Sequence, residues 1–355
     1  QILFPFFSII FLTSILGYGQ ISNKFYNIDK NFIYLKNLIF IQGLILVSFF
    51  SIIINFFIPI SNLITILITT GGLIFYFFYF LKLNTKSKEI IFIISVILLS
   101  FILSFYAGVS DDFVYHFETI KNFKNHNIFE INHHRMISYN SNWLFLISIF
   151  SVNYFASTIF ILSSLMYAIL IYDTFKMYQK SLKNGYYFTG LFCFFILIFF
   201  LGVLNKYKDF GTDIPGVIIS FYVLIIIIYY VFDKQLKNTN LILFLVLPLV
   251  VFAFIIKITN SLLFILLLLL VININLKSIN YKILLISGIL PLLWFFQNYI
   301  ISGCLIWPIE ITCFKNNELA INEYYLIESF AKGDIATQIK VDGFSWIYIW
   351  LINHF

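Results

Sequence analysis

Arginine is almost missing from this chain. Arg135 is the only one, beside 21 lysines, and charged residues of all kinds make up 11% of 355 positions. A soluble globular domain carries about a quarter charged residues, so a water-soluble fold is excluded. Cysteine is scarce, three in all, and lacks the paired spacing of a zinc site. No glycine-rich phosphate loop, heptad array or short-period repeat is present, which removes soluble nucleotide sites and solenoids. A secondary transporter places paired charges and Gly or Pro breaks in mid-span. Here the apolar runs are nearly free of charge, and the interruptions are Pro248 and the stretch "KITN" around Lys257.

What the chain has in excess is apolar: 61% hydrophobic residues, 21% aromatic, and a mean hydropathy of +0.97. A hydrocarbon core about 30 Å thick takes roughly 20 apolar residues per helix. Runs of that size predict an all-α polytopic transmembrane bundle of about eleven spans, near 1–17, 37–58, 61–81, 90–107, 153–175, 187–204, 214–232, 240–256, 261–275, 283–300 and 343–355. The two short runs at 240 and 261 read either as one bent segment or as a helix broken around Lys257. We divide the chain into N-terminal transmembrane helices over 1–88 and a transmembrane core over 89–355. Both ends fall inside apolar runs, so we expect a piece of a longer protein, truncated at the C-terminus.

Basic residues concentrate on the cytoplasmic side of membrane proteins. With the loop "KLNTKSK" inside, thirteen of the 22 basic residues but only four of the 16 acids fall on that side. The opposite side then holds two long outer loops, roughly 108–141 and 301–342. The net charge of +6 is ordinary topology of this kind and implies no nucleic acid. Cys193 lies in a span as a small apolar group, whereas Cys304 and Cys313 share the outer loop "CLIWPIEITC", where an oxidising exterior permits a disulfide.

The first outer loop opens with "SDDFVYHF". On a helix, Phe113, Phe117, Ile120 and Phe123 form one apolar stripe, and Asp112, Tyr115, His116 and Thr119 form another arc. This predicts an amphipathic helix lying on the outer surface with its stripe in the interface. Acids in its first turn complement the helix dipole for about 0.3–1 kcal/mol, which is a sufficient structural reason for Asp111 and Asp112. The loop around them nevertheless gathers four of the five histidines, His116, His126, His133 and His134, with the sole arginine, Arg135. Arginine supplies a fixed fork for phosphate or carboxylate that lysine does not. Adjacent His133 and His134 make a poor metal pair, whereas the two aspartates suit a divalent cation such as Mg or Mn completed by a sugar phosphate.

An apolar span, an outer loop opening with an acidic pair, an amphipathic helix and then "NHNIFEINHHRMISYNSNWLFLISIF" resemble the first outer loop of the GT-C glycosyltransferases, polytopic enzymes that use sugars carried on polyprenyl phosphate. "DDFVYH", "YNSNWLFL", "KDFGTDIPG" and "QNYIISGCLIWPIE" are similar to a family of uncharacterised bacterial multi-spanning proteins sharing this plan, over about residues 89–310. In many GT-C enzymes the acidic loop follows the first span, whereas three spans precede Lys82 here. The resemblance implies a GT-C-like fold and a multi-pass protein of the bacterial inner (cytoplasmic) membrane, with its active site on the extracytoplasmic side. It further implies inverting transfer of a sugar from a polyprenyl-phosphate donor to a glycan, lipid or protein acceptor, with an Asp of the first outer loop as general base. Asp112 and Asp111 match that position, and we favour Asp112.

The remaining candidates follow from what such chemistry needs: a carboxylate near the acceptor proton and a cationic cradle for the leaving phosphate. His116, His134, Arg135, Lys206, Lys208 and Lys257 are the donor or phosphate candidates. Lys257 is an ionisable group between apolar segments, functional by default, unless its stem snorkels to the interface. Tyr115, Asp209, Asp213, Trp307 and Glu310 are the substrate candidates. Asp213 equally reads as a helix cap before Pro215 and Gly216, and Trp307 as part of an interfacial aromatic belt. A polysaccharide polymerase or lipid-sugar flippase is the nearest alternative, but outer-loop arginines would dominate its contacts to anionic sugars. A secondary transporter is the third class.

Overall fold

The computed structural model describes residues 3–26, 36–105, 113–131, 137–152, 156–202, 211–233, 239–271, 281–307 and 309–314. Among them there is no β-strand; a single isolated bridge joins Cys304 and Cys313. The helices are α1 (Leu3–Tyr26), α2 (Lys36–Asn55), α3 (Asn62–Leu81), α4 (Lys86–Ser104), α5 (Phe113–Asn125), α6 (Asn142–Ile149), α7 (Ile161–Asn184), α8 (Tyr187–Gly202), α9 (Asp213–Ile228), α10 (Thr239–Ile256), α11 (Leu263–Val271) and α12 (Tyr281–Ser302). The protein is therefore all-helical. Among the described residues, seven helical segments are long and apolar enough to cross a membrane, and the apolar segments 187–202, 245–256 and 258–270 are shorter. The eleventh expected span, 343–355, lies outside the described residues.

The chain divides into two compact units, one of Gln1–Glu130 with Ser141–Trp294 and the other of Ile131–Asn140 with Phe295–Phe355. In the first, α1 packs on α2 and α3, and α7 packs on α4, α8 and α9. At its glycines α1 meets α2 and α3 backbone to backbone. A Cβ added at Gly17 would lie 2.1 Å from the carbonyl oxygen of Gly72, and one at Gly43 would lie 2.1 Å from that of Ile15. Small residues permit this approach where lipid offers no hydrophobic drive to bring helices together. The segment containing α7 has 78% of its apolar window buried, against 33% for α3 and for α4. The outward faces of α3 and α4 expose Leu67, Phe77, Phe78, Ile91, Ile94 and Leu98, a continuous apolar surface of the kind that meets lipid.

The break expected near Lys257 is real. Lys257 has extended backbone (φ −150°, ψ 122°) between α10 and a 3-10 turn over Ile258–Leu262 that leads into α11. Asn260 holds the break together, its backbone N–H donating to Lys257 O (3.0 Å) and its Nδ2 to Ala253 O (3.0 Å). These bonds satisfy part of the orphaned backbone that any helix end leaves behind.

α6 has no counterpart among the predicted spans. All eight of its residues are buried. Ser141 caps it by accepting from the Trp143 N–H and donates its own hydroxyl to Ile256 O, 2.7 Å away at the end of α10. Asn142 exchanges hydrogen bonds with Ser48 of α2 at 2.7 and 2.8 Å. In the second unit, Asn140 donates to Asn298 at 2.7 Å.

The second unit closes around the end of α12. Gly303 takes φ 75° just past Ser302 and donates to Tyr299 O at 2.8 Å, a left-handed helix exit that a side chain would strain. The following loop is joined by a Cys304–Cys313 disulfide, the pairing that the sequence leaves open. Cys193, in α8, is free and buried.

Candidate functional site

At one end of the first unit, the α2–α3 connection and α5 are laced together. The Ile60 N–H donates to Phe123 O (2.9 Å) and the Ile128 N–H to Asn55 O (3.1 Å). Phe123 meets Phe145 of α6 edge to face at 5.0 Å. This docking corrects the expected orientation of α5. The buried side carries His116, Thr119, Ile120, Phe123 and Lys124, while Phe117 is 42% exposed. Two residues of the expected polar arc, His116 and Thr119, belong to the buried face. The reason is that α6 and the α2–α3 turn present hydrogen-bonding groups as well as apolar ones, so polar residues in phase with Ile120 and Phe123 are accommodated.

Lys124 is the clearest consequence, and it is absent from the sequence candidates. It is 4% exposed, and its Nζ donates to Thr65 Oγ1 (2.8 Å) and Ser151 O (2.6 Å). Burial lowers its pKa from 10.5 to about 7, because desolvation disfavours the charged form. The available signal was its position four residues after Ile120, on the face that turns inward.

This shift has a sign. Between about pH 7 and 10.5 the unfolded chain holds a proton at Lys124 that the folded chain has shed. Stability rises with pH wherever the unfolded state binds more protons, so it climbs through that window. Below about pH 7 both states are protonated and the burial cost is present in full. We expect Lys124→Met to remove this rise, on the order of a few kcal/mol. Thermal unfolding of the detergent-solubilised protein across pH 6–11 reads it, and parallel profiles for variant and parent would contradict it.

At the same end of the first unit, Lys257 forms an ion pair with Asp213, their side chains 36% and 73% exposed. Lys257 therefore reaches outward to a carboxylate from the unwound segment. Asp213 is not the cap of α9: Thr212 occupies that position, and Asp213 is the first helical residue, an acid in the first turn. Behind the pair, Ser220 Oγ donates to Gly216 O at 2.8 Å. A Cβ at Gly216 would come within 2.5 Å of Asn260 Nδ2. The pair stands on a closely packed polar seam between α9 and the break.

The other expected residues fare differently. His116 is 2% exposed on the inner face of α5. Tyr115 lies in α5 and Glu310 in a 3-10 turn over Glu310–Thr312; their side chains are outside the described set. Trp307 is buried in the second unit against Cys304, with Tyr139 and Cys313 packed around them, so its ring is occupied by protein contacts. Asp111, Asp112, His134, Arg135, Lys206, Lys208 and Asp209 lie outside the described residues, and with them the expected cation site. Among the described residues, no group of three or more His, Cys, Asp and Glu is gathered to hold a metal.

The opposite end of the first unit holds a cavity of about 660 Å³ that the motif reading missed. It is bordered by the start of α2 and α4 and the ends of α3, α7 and α9. Four lysines line it, Lys36, Lys88, Lys176 and Lys180, together with the buried carboxylates Glu89 and Asp173. Lys36 Nζ lies 2.6 Å from Glu89 Oε2, and Tyr76 OH donates to Glu89 Oε1 at 3.0 Å.

The model of a family described as a domain of unknown function, DUF8201, matches residues 2–354. No curated protein and no solved structure matches the chain.

Proposed function

The chain belongs to the DUF8201 family, whose description carries no activity, and we propose that it is a multi-pass membrane glycosyltransferase of GT-C type. In this reading it moves a sugar from a polyprenyl-phosphate donor to a glycan, lipid or protein acceptor outside the bacterial inner membrane. The observation that carries the reading is the cation at the helix break. Lys257 sits in unwound backbone at the end of the first unit where α5 docks, held by Asp213 on a polar seam. The "DD" pair directly precedes α5 in the chain, and α5 and α10 both pack on α6. Positive-inside counting assigns that end to the exterior. The Cys304–Cys313 disulfide supports an oxidising compartment for its loop.

The chemistry is a single displacement. The acceptor hydroxyl oxygen bonds to the anomeric carbon as the bond from that carbon to the phosphate oxygen breaks. Asp112 or Asp111 takes the hydroxyl proton, and the polyprenyl phosphate leaves with its electron pair, balanced by Lys257 and the basic residues of the outer loop. Eleven spans and a GT-C-like core belong to this reading. A divalent cation on the aspartate pair is compatible with it.

Incubating the purified protein with a panel of polyprenyl-phosphate sugars and measuring release of lipid phosphate tests the proposal. Sugar-dependent release supports it, and no release with any donor and acceptor pair overturns it. Lys257→Gln is expected to change folding stability by less than about 1 kcal/mol, since its ion pair is partly exposed. The same substitution should raise KM for the lipid donor about tenfold, the loss of one charge-assisted contact. A transporter is the second reading, favoured by the broken helix at Lys257, because transporters build their sites from such discontinuities. Reconstituted vesicles that move solute with no covalent product would establish it, and the same vesicles test a lipid-sugar flippase.

A further inference from the structure

We propose that the cavity at the end of the first unit opposite α5 is a binding site for a phosphate ester, on the cytoplasmic side of the membrane in the orientation set by the lysines. Its volume of about 660 Å³ lies within the roughly 300–1,000 Å³ of small-molecule sites.

The charge of the lining selects an anion. Four lysines face two carboxylates, a surplus of two positive charges, and Glu89, 5% exposed, accepts from both Lys36 and Tyr76. Lysines at the cytoplasmic end of spans are expected from topology alone, but topology requires no buried acid to orient one of them. Glu89 does that here. It holds the Lys36 ammonium at the cavity wall, 5.3 Å from the Phe92 ring centre and 5.9 Å from that of Tyr79. Lys176 lies 5.6 Å from the Tyr172 ring centre. A wall of this kind sets ammonium groups beside aromatic faces, and charge-assisted bonds to phosphate oxygens are the strong contacts available to it.

The rest of the lining selects what the phosphate is attached to. Tyr172, Tyr186, Tyr229 and Tyr230 bring hydroxyls and ring faces, and Thr85, at the N-cap position of α4, makes no side-chain capping bond there. Such a surface suits a hydroxylated group joined to phosphate, whether the headgroup of an anionic phospholipid or a soluble sugar or nucleoside phosphate. Leu83 and Ile91, the latter 59% exposed on α4, carry the lining onto the apolar outer face.

The site does not depend on transfer activity, so its test is separate from that of the outer end. Protein purified in neutral detergent would be titrated in parallel with phosphatidylglycerol in mixed micelles, with phosphatidylcholine in the same micelles, and with inorganic pyrophosphate. Binding is read as the rise in unfolding temperature that a ligand specific for the folded state produces. Stabilisation by phosphatidylglycerol and not phosphatidylcholine identifies a lipid headgroup, and stabilisation by pyrophosphate identifies a soluble source. In either case Lys88→Gln/Lys176→Gln, at exposed positions of the rim, should weaken binding about tenfold or more. Lys82→Gln, which removes an exposed lysine outside the lining, should leave it unchanged. The single substitutions Lys88→Gln and Lys176→Gln should each retain part of the effect. No stabilisation by either phosphate probe, or equal stabilisation of parent and double variant, would overturn the assignment.

Discussion

If the proposed transfer reaction is right, asparagine in place of the aspartate that acts as base, Asp111 or Asp112, is expected to lower sugar transfer by about a hundredfold or more, the usual contribution of a positioned general base. Asparagine keeps the size and the hydrogen-bonding reach of aspartate but does not take the acceptor proton. The protein should therefore insert, fold and bind carrier lipid as before, so that kcat falls while the affinity for donor stays. The two single variants separate the roles: replacing the base lowers kcat, whereas replacing an aspartate that only positions the acceptor or a cation raises KM. Full activity in both would end the assignment of this loop as catalytic. A role limited to complementing the helix dipole predicts a stability change of only about 0.3–1 kcal/mol and no change in turnover, which unfolding and rate measurements on the same samples distinguish.

Gly17→Val is expected to be among the most damaging single changes in the described fold, costing about 3 kcal/mol or more. Its Cβ would fall 2.1 Å from the Gly72 carbonyl oxygen and 2.8 Å from the Tyr76 backbone nitrogen, atoms of a helix that cannot rotate aside. α1 and α3 would have to separate, and α1 also contacts α2, α4 and α7, so the disturbance spreads through the first unit. Gly288→Ala in α12 is the matched control, because a Cβ there meets nothing within 4 Å. Alanine should be neutral or stabilising by up to about 1 kcal/mol through helix propensity. Unfolding temperature and the monodisperse fraction in detergent read both variants. Equal behaviour would show that the close approach of α1 and α3 does not govern folding.

The long spans were legible because nothing in them competes with membrane insertion: a run of about twenty apolar residues has one low-energy solution in a bilayer, a helix. The break at Lys257 was half legible. A charge and an asparagine between two short apolar runs mark the place, but the choice between bend and break depended on Asn260 bonding back to Ala253 O. α6 was hidden for a different reason. It is eight residues long and buried on every side, so it has neither the length of a span nor the periodicity of a surface helix.

Composition and the length of the apolar runs were enough to foresee an all-helical chain with helices of membrane-crossing length, since insertion responds to local hydropathy. Which face of α5 turns inward, and the gathering of Lys36, Glu89, Asp173 and Tyr229 around one cavity, came only from the packing. Those four residues belong to four helices and lie up to almost two hundred positions apart. No window along the chain contains them together, and side-chain burial is decided by the neighbours that packing supplies.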